Sequence, residues 1–90
     1  MYRRLVRLTG DGGLHVRPAT LLMEAAKRFQ SSVRVHKEGQ TADGKSAISL
    51  MLLEAEGGAE LHVEADGVDE VAAVTSLVHL IESRFGDTLT

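Results

Sequence analysis

Ser32-Val33-Arg34-Val35-His36-Lys37-Glu38-Gly39-Gln40-Thr41-Ala42 is the stretch that decides the fold. Residues 32–37 alternate with a period of two, which puts Val33 and Val35 on one side of a strand and Arg34 and His36 on the other. Glu38-Gly39 is a tight-turn dipeptide, so Gln40-Thr41-Ala42 returns antiparallel as the second arm of a small hairpin. An antiparallel pair in mid-chain, flanked on both sides by helical patterns, predicts an α+β domain rather than a parallel α/β one.

Upstream of the hairpin, Leu22, Ala25, Ala26 and Phe29 fall at helical spacing after Pro18 and predict a helix to about Phe29, with Leu21 and Met23 off the stripe. Before it, Tyr2 to Leu8 alternates loosely and ends in the loop-forming run Thr9-Gly10-Asp11-Gly12-Gly13. Downstream, Asp43-Gly44-Lys45 is a loop and Ser46 an N-cap for a short helix from Ala47 to about Leu53. Gly57-Gly58 opens a turn into Glu60–Ala65, where Leu61, Val63 and Ala65 face inward, and Asp66-Gly67 ends that strand. Val71, Val74, Val78, Ile81 and Phe85 mark one face of the longest helix, which Asp69 and Glu70 open and Gly86 stops. The order is βαββαβα, an open-faced sandwich whose sheet is covered by helices on one side.

A chain of 90 residues supports one modest core. It holds no cysteine, which excludes a disulfide framework and a thiolate metal site. The basic start, Met1 to Leu8, lacks a sustained apolar region and reads as a strand rather than a signal peptide. No apolar run is long enough for a bilayer, so a soluble cytoplasmic protein without membrane insertion is expected. A net charge of −3, with one Tyr, two Phe and no Trp, argues against nucleic acid as a partner. The charge is uneven: Arg84 is the only cation after residue 50, where most of the acids lie. Such asymmetry points to association between a basic face and an acidic partner.

The chemistry is carried by Gly13-Leu14-His15-Val16-Arg17-Pro18-Ala19-Thr20. Pro18 suits the first turn of a helix, because its φ is fixed and its missing N–H is not needed there. His15 then stands immediately before a helix N-terminus. The backbone N–H groups of Val16 and Arg17 must find their acceptors outside the helix, where the dipole favours an anion. Arg17 adds a permanent cation suited to phosphate oxygens. Imidazole is nucleophilic and partly neutral near pH 7. These residues predict transient phosphorylation of His15, with Val16 and Arg17 holding the phosphoryl group.

Near this site the short second helix carries more apolar side chains than it can bury. Thr20, Leu21, Ile48 and Met51, edged by Lys27 and Lys45, are expected to form an exposed partner-binding patch, with Leu52 in the core. His36, His62 and His79 have no matching ligand spacing, so neither a metal site nor a cofactor is expected. His62 alternates with the inward set and is expected to face solvent. Asp66, Asp69 and Glu70 read as turn and N-cap chemistry rather than a calcium loop.

Taken together, Gly13–Thr20, Gly44-Lys45-Ser46-Ala47-Ile48-Ser49-Leu50-Met51 and Ala65-Asp66-Gly67-Val68-Asp69-Glu70 resemble HPr, the histidine phosphocarrier family of the bacterial phosphotransferase system, over the whole chain. The resemblance implies a single domain over residues 1–90, with a four-stranded antiparallel sheet covered on one face by three helices. It also implies a phosphocarrier, a protein co-substrate rather than an enzyme acting on a free substrate. Enzyme I, charged by phosphoenolpyruvate, would phosphorylate Nδ1 of His15, and the group would pass to enzyme IIA domains of sugar transporters. Thr20, Leu21, Glu24, Lys27, Lys45, Ala47, Ile48 and Met51 would form the docking face of an expected monomer. Ser46 matches the residue that an HPr kinase/phosphorylase modifies in many bacteria, although its N-cap role explains it equally well. Two related readings stand beside this one: a regulatory module acting on transcription regulators or metabolic enzymes, and a nitrogen-type phosphorelay carrier. The chain departs from the family pattern at Gly12, Val16, Glu24 and Glu54. Glycine is frequent at the last of these, and Glu is expected to resist the left-handed backbone that glycine accepts there.

Overall fold

A computed structural model of the chain describes residues 1–8 and 13–85. The elements run β1 (Tyr2–Arg7), α1 (Val16–Ala26), β2 (Ser32–Lys37), β3 (Gln40–Asp43), α2 (Ala47–Met51), β4 (Glu60–Asp66) and α3 (Glu70–Glu82). The four strands form one antiparallel sheet in the order β1-β4-β2-β3. The expected α+β open-faced sandwich is therefore the architecture found.

Register follows from the alternation. Val6 pairs with Leu61, and Val35 pairs with both Val63 and Ala42, so all of these point to one side. There they are buried beneath Ala19, Leu22 and Ala26 of α1 and Ala73, Val74, Leu77, Val78 and Ile81 of α3. The intervening residues, including Arg3, Arg34, His36, His62 and Glu64, share the uncovered face. The hairpin turn has φ of 49° at Glu38 and 85° at Gly39. Two consecutive positive φ values are what a two-residue turn requires if its twist is to match the strands.

The structure corrects several expectations. Helix α1 begins at Val16 and ends at Ala26, so Pro18 is its third residue; Phe29 lies beyond it, half-buried. Pro18 still stands in the first turn, just before Ala19, the first residue whose N–H finds a helical acceptor in the His15 carbonyl. Helix α2 stops at Met51. Leu50 and Leu53 take its inward positions, which turns Leu52 outward beside Ile48, four residues earlier; the two are 71% and 69% exposed. Leu52 is thus a surface residue and not part of the core. Val71 is also exposed, because the inward stripe of α3 runs through Ala73, Val74 and Leu77 and leaves Val71 at its margin.

Asp69 occupies the N-cap position of α3 but makes no cap hydrogen bond. Its carboxylate instead accepts from the backbone N–H groups of Gln30 and Ser31 at 2.8 and 2.9 Å, and so ties α3 to the start of β2. The Ser31 hydroxyl and these amides hold Asp69 below the usual carboxylate range. The glycine-rich loop at 9–12, including the Gly12 departure, and the stop at Gly86 lie outside the described residues.

Candidate functional site

His15 is the N-cap residue of α1, in extended backbone conformation, and its side chain is exposed. What holds it there is backbone rather than side chain. The His15 N–H donates to the Gly13 carbonyl at 2.9 Å, and the His15 carbonyl accepts from Ala19 at 3.0 Å. Leu14 is buried, and its N–H donates to the Ala55 carbonyl at 2.9 Å. A side chain at position 13 has no room: a Cβ there would sit 2.2 Å from the Ala55 oxygen and 3.1 Å from the Glu56 Cα. Glycine is therefore the residue that lets the 13–15 segment lie against 55–56.

The His15 ring is exposed, and among the described residues none hydrogen-bonds to it. Val16 and Arg17, both exposed, open the helix, and their N–H groups belong to its positive end. His15 and Val16 line an open cleft whose other wall carries Met51, Lys37, Glu54 and Glu56. An exposed nucleophile at a helix N-terminus, with a cation two residues on, can take up an anionic phosphoryl group.

Of the expected patch, Ile48 is exposed, Thr20, Leu21, Ala47 and Met51 are half-buried, and Glu24 is exposed on α1. The packing of α1 against α2 brings this set together on one side of the molecule. Lys27 is exposed at the far end of α1, about 18 Å along the axis from His15, so it can only border the patch. Lys45 is half-buried, and its ammonium donates to the Phe29 carbonyl at 2.9 Å, beyond the end of α1. Ser46 is the N-cap of α2, and its hydroxyl accepts from the Ser49 N–H at 3.2 Å.

Glu54 adopts φ of 54° despite having a Cβ. The Lys37 ammonium donates to the Leu53 and Glu54 carbonyls at 3.0 and 3.3 Å, which secures the carbonyls left open at the end of α2. Sequence reasoning missed Lys37, Ala55 and Glu56 as neighbours of His15. The Leu14–Ala55 contact spans the chain and leaves no local signal.

A second polar cluster was also invisible in sequence. Glu64 is buried on the uncovered sheet face, 5% exposed, beneath Arg34 at 3.1 Å, His36 at 3.0 Å and Arg3 at 4.0 Å. His36 Nδ1 meets the Thr41 hydroxyl at 2.9 Å, so both of its nitrogens are engaged. Burial pushes the Glu64 carboxyl up more strongly than any single partner pulls it down. The hydrogen bond to His36 and the charges of His36, Arg34 and Arg3 together outweigh burial and leave it below the usual range. No group of three or more residues suited to hold a metal ion occurs among the described residues. No helix there is long and apolar enough to cross a membrane.

The fold and the exposed helix-start histidine define a class of small histidine-bearing α+β carriers. The family model described as the PTS HPr component phosphorylation site matches residues 2–83. Phosphocarrier protein HPr of Borreliella burgdorferi is 41% identical over 83 residues, covering 92% of this chain and 96% of that protein. The crystal structure of an HPr from Thermoanaerobacter tengcongensis superposes with a TM-score of 0.92 at 36% identity, covering 97% of this chain and 98% of that one. Crh, a Bacillus subtilis catabolite repression protein solved as a swapped dimer, superposes with a TM-score of 0.75 at 34% identity, covering 92% of this chain and 95% of that one. This chain belongs to the HPr phosphocarrier family of the phosphotransferase system.

Proposed function

We propose that the chain accepts a phosphoryl group from phospho-enzyme I on Nδ1 of His15 and donates it to enzyme IIA domains of sugar phosphotransferase systems, acting as a monomeric, single-domain cytoplasmic carrier. The observation that carries this reading is the exposed, unengaged His15 ring at the N-terminus of α1. The positive helix end and Arg17 stabilise the phosphoryl anion. Their grip is moderate because the site is open to solvent, and a carrier that holds its cargo too well cannot release it. In the transfer, one lone pair of the imidazole forms the N–P bond as the bond to the enzyme I donor breaks; the second transfer reverses this at the acceptor histidine. Exposed Ile48 and Leu52, with Thr20, Leu21, Ala47 and Met51, offer the apolar contact for both partners.

Incubation with enzyme I and phosphoenolpyruvate tests this. Intact mass should rise by one phosphoryl group that is labile in acid and stable in base, and His15→Ala should show no gain. No gain by the wild-type chain, with enzyme I active on a reference carrier, would contradict the reading.

Ser46 supports a regulatory role alongside the carrier function, favoured by the likeness to Crh and its catabolite repression. A phosphoryl group there would add about −1.5 to −2 charge beside Ile48. The N-terminus of α2 tolerates that charge, whereas an acidic partner does not, so docking weakens while the domain stays folded. A kinase/phosphorylase and a transcription regulator are the partners this second role requires.

A further inference from the structure

Glu54 and Glu56 line the same cleft as His15, and among the described residues no side chain pairs with their carboxylates. Most acidic side chains on the structured elements are engaged: Glu60 pairs with Arg7, Glu64 with Arg34 and His36, Glu70 with the N-terminal ammonium, and Asp69 with the Ser31 amide. Among the described residues neither Glu54 nor Glu56 has a side-chain hydrogen bond or ion pair. Between them Ala55 is buried, and its carbonyl holds Leu14, so the two acids are fixed on either side of the contact that positions the His15 loop. Glu54 also occupies a left-handed backbone position that glycine would fill without strain. Lys37, the one cation on that wall, directs its ammonium to the Leu53 and Glu54 carbonyls.

We infer that Glu54 and Glu56 set the transfer potential of the phosphorylated carrier: their carboxylates repel the phosphoryl dianion on His15 and drive it onward. This rests on the carrier reading above. The repulsion exists only while the N–P bond is intact. When that bond breaks and the acceptor's bond to phosphorus forms, the dianion leaves and the lone pair returns to the imidazole, so the two acids favour donation over retention. Both side chains are solvent-exposed, so the effect is screened and depends on salt. For a carboxylate about 10 Å from a dianion in water, Coulomb's law gives about a threefold change in the exchange equilibrium at low ionic strength.

The test is phosphoryl exchange between this chain and a reference HPr, equilibrated by enzyme I and read by intact mass. Glu54→Gln with Glu56→Gln should shift the equilibrium about tenfold toward phosphoryl retained on this chain, and the shift should shrink at 1 M salt, where the Debye length is about 3 Å. Glu54→Asp with Glu56→Asp keeps both charges and should stay near the wild-type value. Thermal melts report separately on the fold. An unchanged equilibrium in the Gln pair would overturn the inference and leave the carrier reading intact, as would an equal, salt-independent shift in both pairs. Failure of the wild-type chain to take up phosphoryl would overturn both.

Discussion

At the start of α1 the His15 ring stands exposed, held in place only through its backbone, whereas on the uncovered sheet face both nitrogens of His36 are taken, by Thr41 and Glu64. The two sites use one residue type differently because their surroundings differ. His36 lies between Thr41 of β3 and His62 of β4, so period-two alternation puts a hydroxyl within reach of one ring nitrogen and the buried Glu64 carboxylate, which needs a partner, within reach of the other. His15 stands two residues after Gly13, which must lie flat against Ala55, and the helix it caps offers amide donors and positive charge but no acceptor for its ring. A histidine that exchanges a phosphoryl group has to keep a nitrogen available. One that completes a charge network gives up both.

That contrast can be broken at its supports. The largest effect is expected from Gly13→Ala, since a Cβ would sit 2.2 Å from the Ala55 oxygen. The 13–15 segment must then move off 55–56, at about 3 kcal/mol of stability, and phosphorylation of His15 should slow. Denaturant melts and the initial rate of mass gain read both changes.

Next comes Glu64→Gln, which should remove about 1–2 kcal/mol at pH 7 and leave phosphorylation unchanged. Its pH dependence has a definite sign. The folded Glu64 carboxyl lies below its unfolded value of about 4.5, so its contribution is full above that pH and is lost as pH falls through the folded value. The gap between wild type and variant should therefore narrow below pH 4.5, as followed by urea melts across pH 3–7. Asp69 and Glu70 are lowered as well, so both proteins weaken toward acid. The smallest effect is Glu54→Gly, which relieves the left-handed strain and should stabilise the fold by about 1 kcal/mol in the same melts.

What sequence made legible divides along the same line. Alternation in Ser32–Lys37 and Glu60–Ala65, the Glu38-Gly39 turn and the Ser46 N-cap are local signals, and the structure places those elements as expected. His15 announced itself through its neighbours Val16, Arg17 and Pro18. Leu52 and Val71 were misplaced because a five-residue helix and a helix margin carry too few turns for periodicity to fix the inward face. The Glu64 cluster depends on which strands adjoin β4, and the neighbours of His15 depend on the contact between Leu14 and Ala55. Both are long-range pairings that a single sequence does not encode locally. Lys45 was legible as a surface cation, but not its reach to the Phe29 carbonyl.

The most direct measurement is side-chain nitrogen NMR of the protein after treatment with enzyme I and phosphoenolpyruvate, with each of the four histidines assigned. One-bond coupling to phosphorus should appear at Nδ1 of His15 alone, while the His36 nitrogens keep the shifts they show in the unmodified protein. Coupling at His36, His62 or His79, or a His15 ring left unchanged while the protein gains the mass of a phosphoryl group, would contradict the assignment of His15 as the phosphoryl carrier.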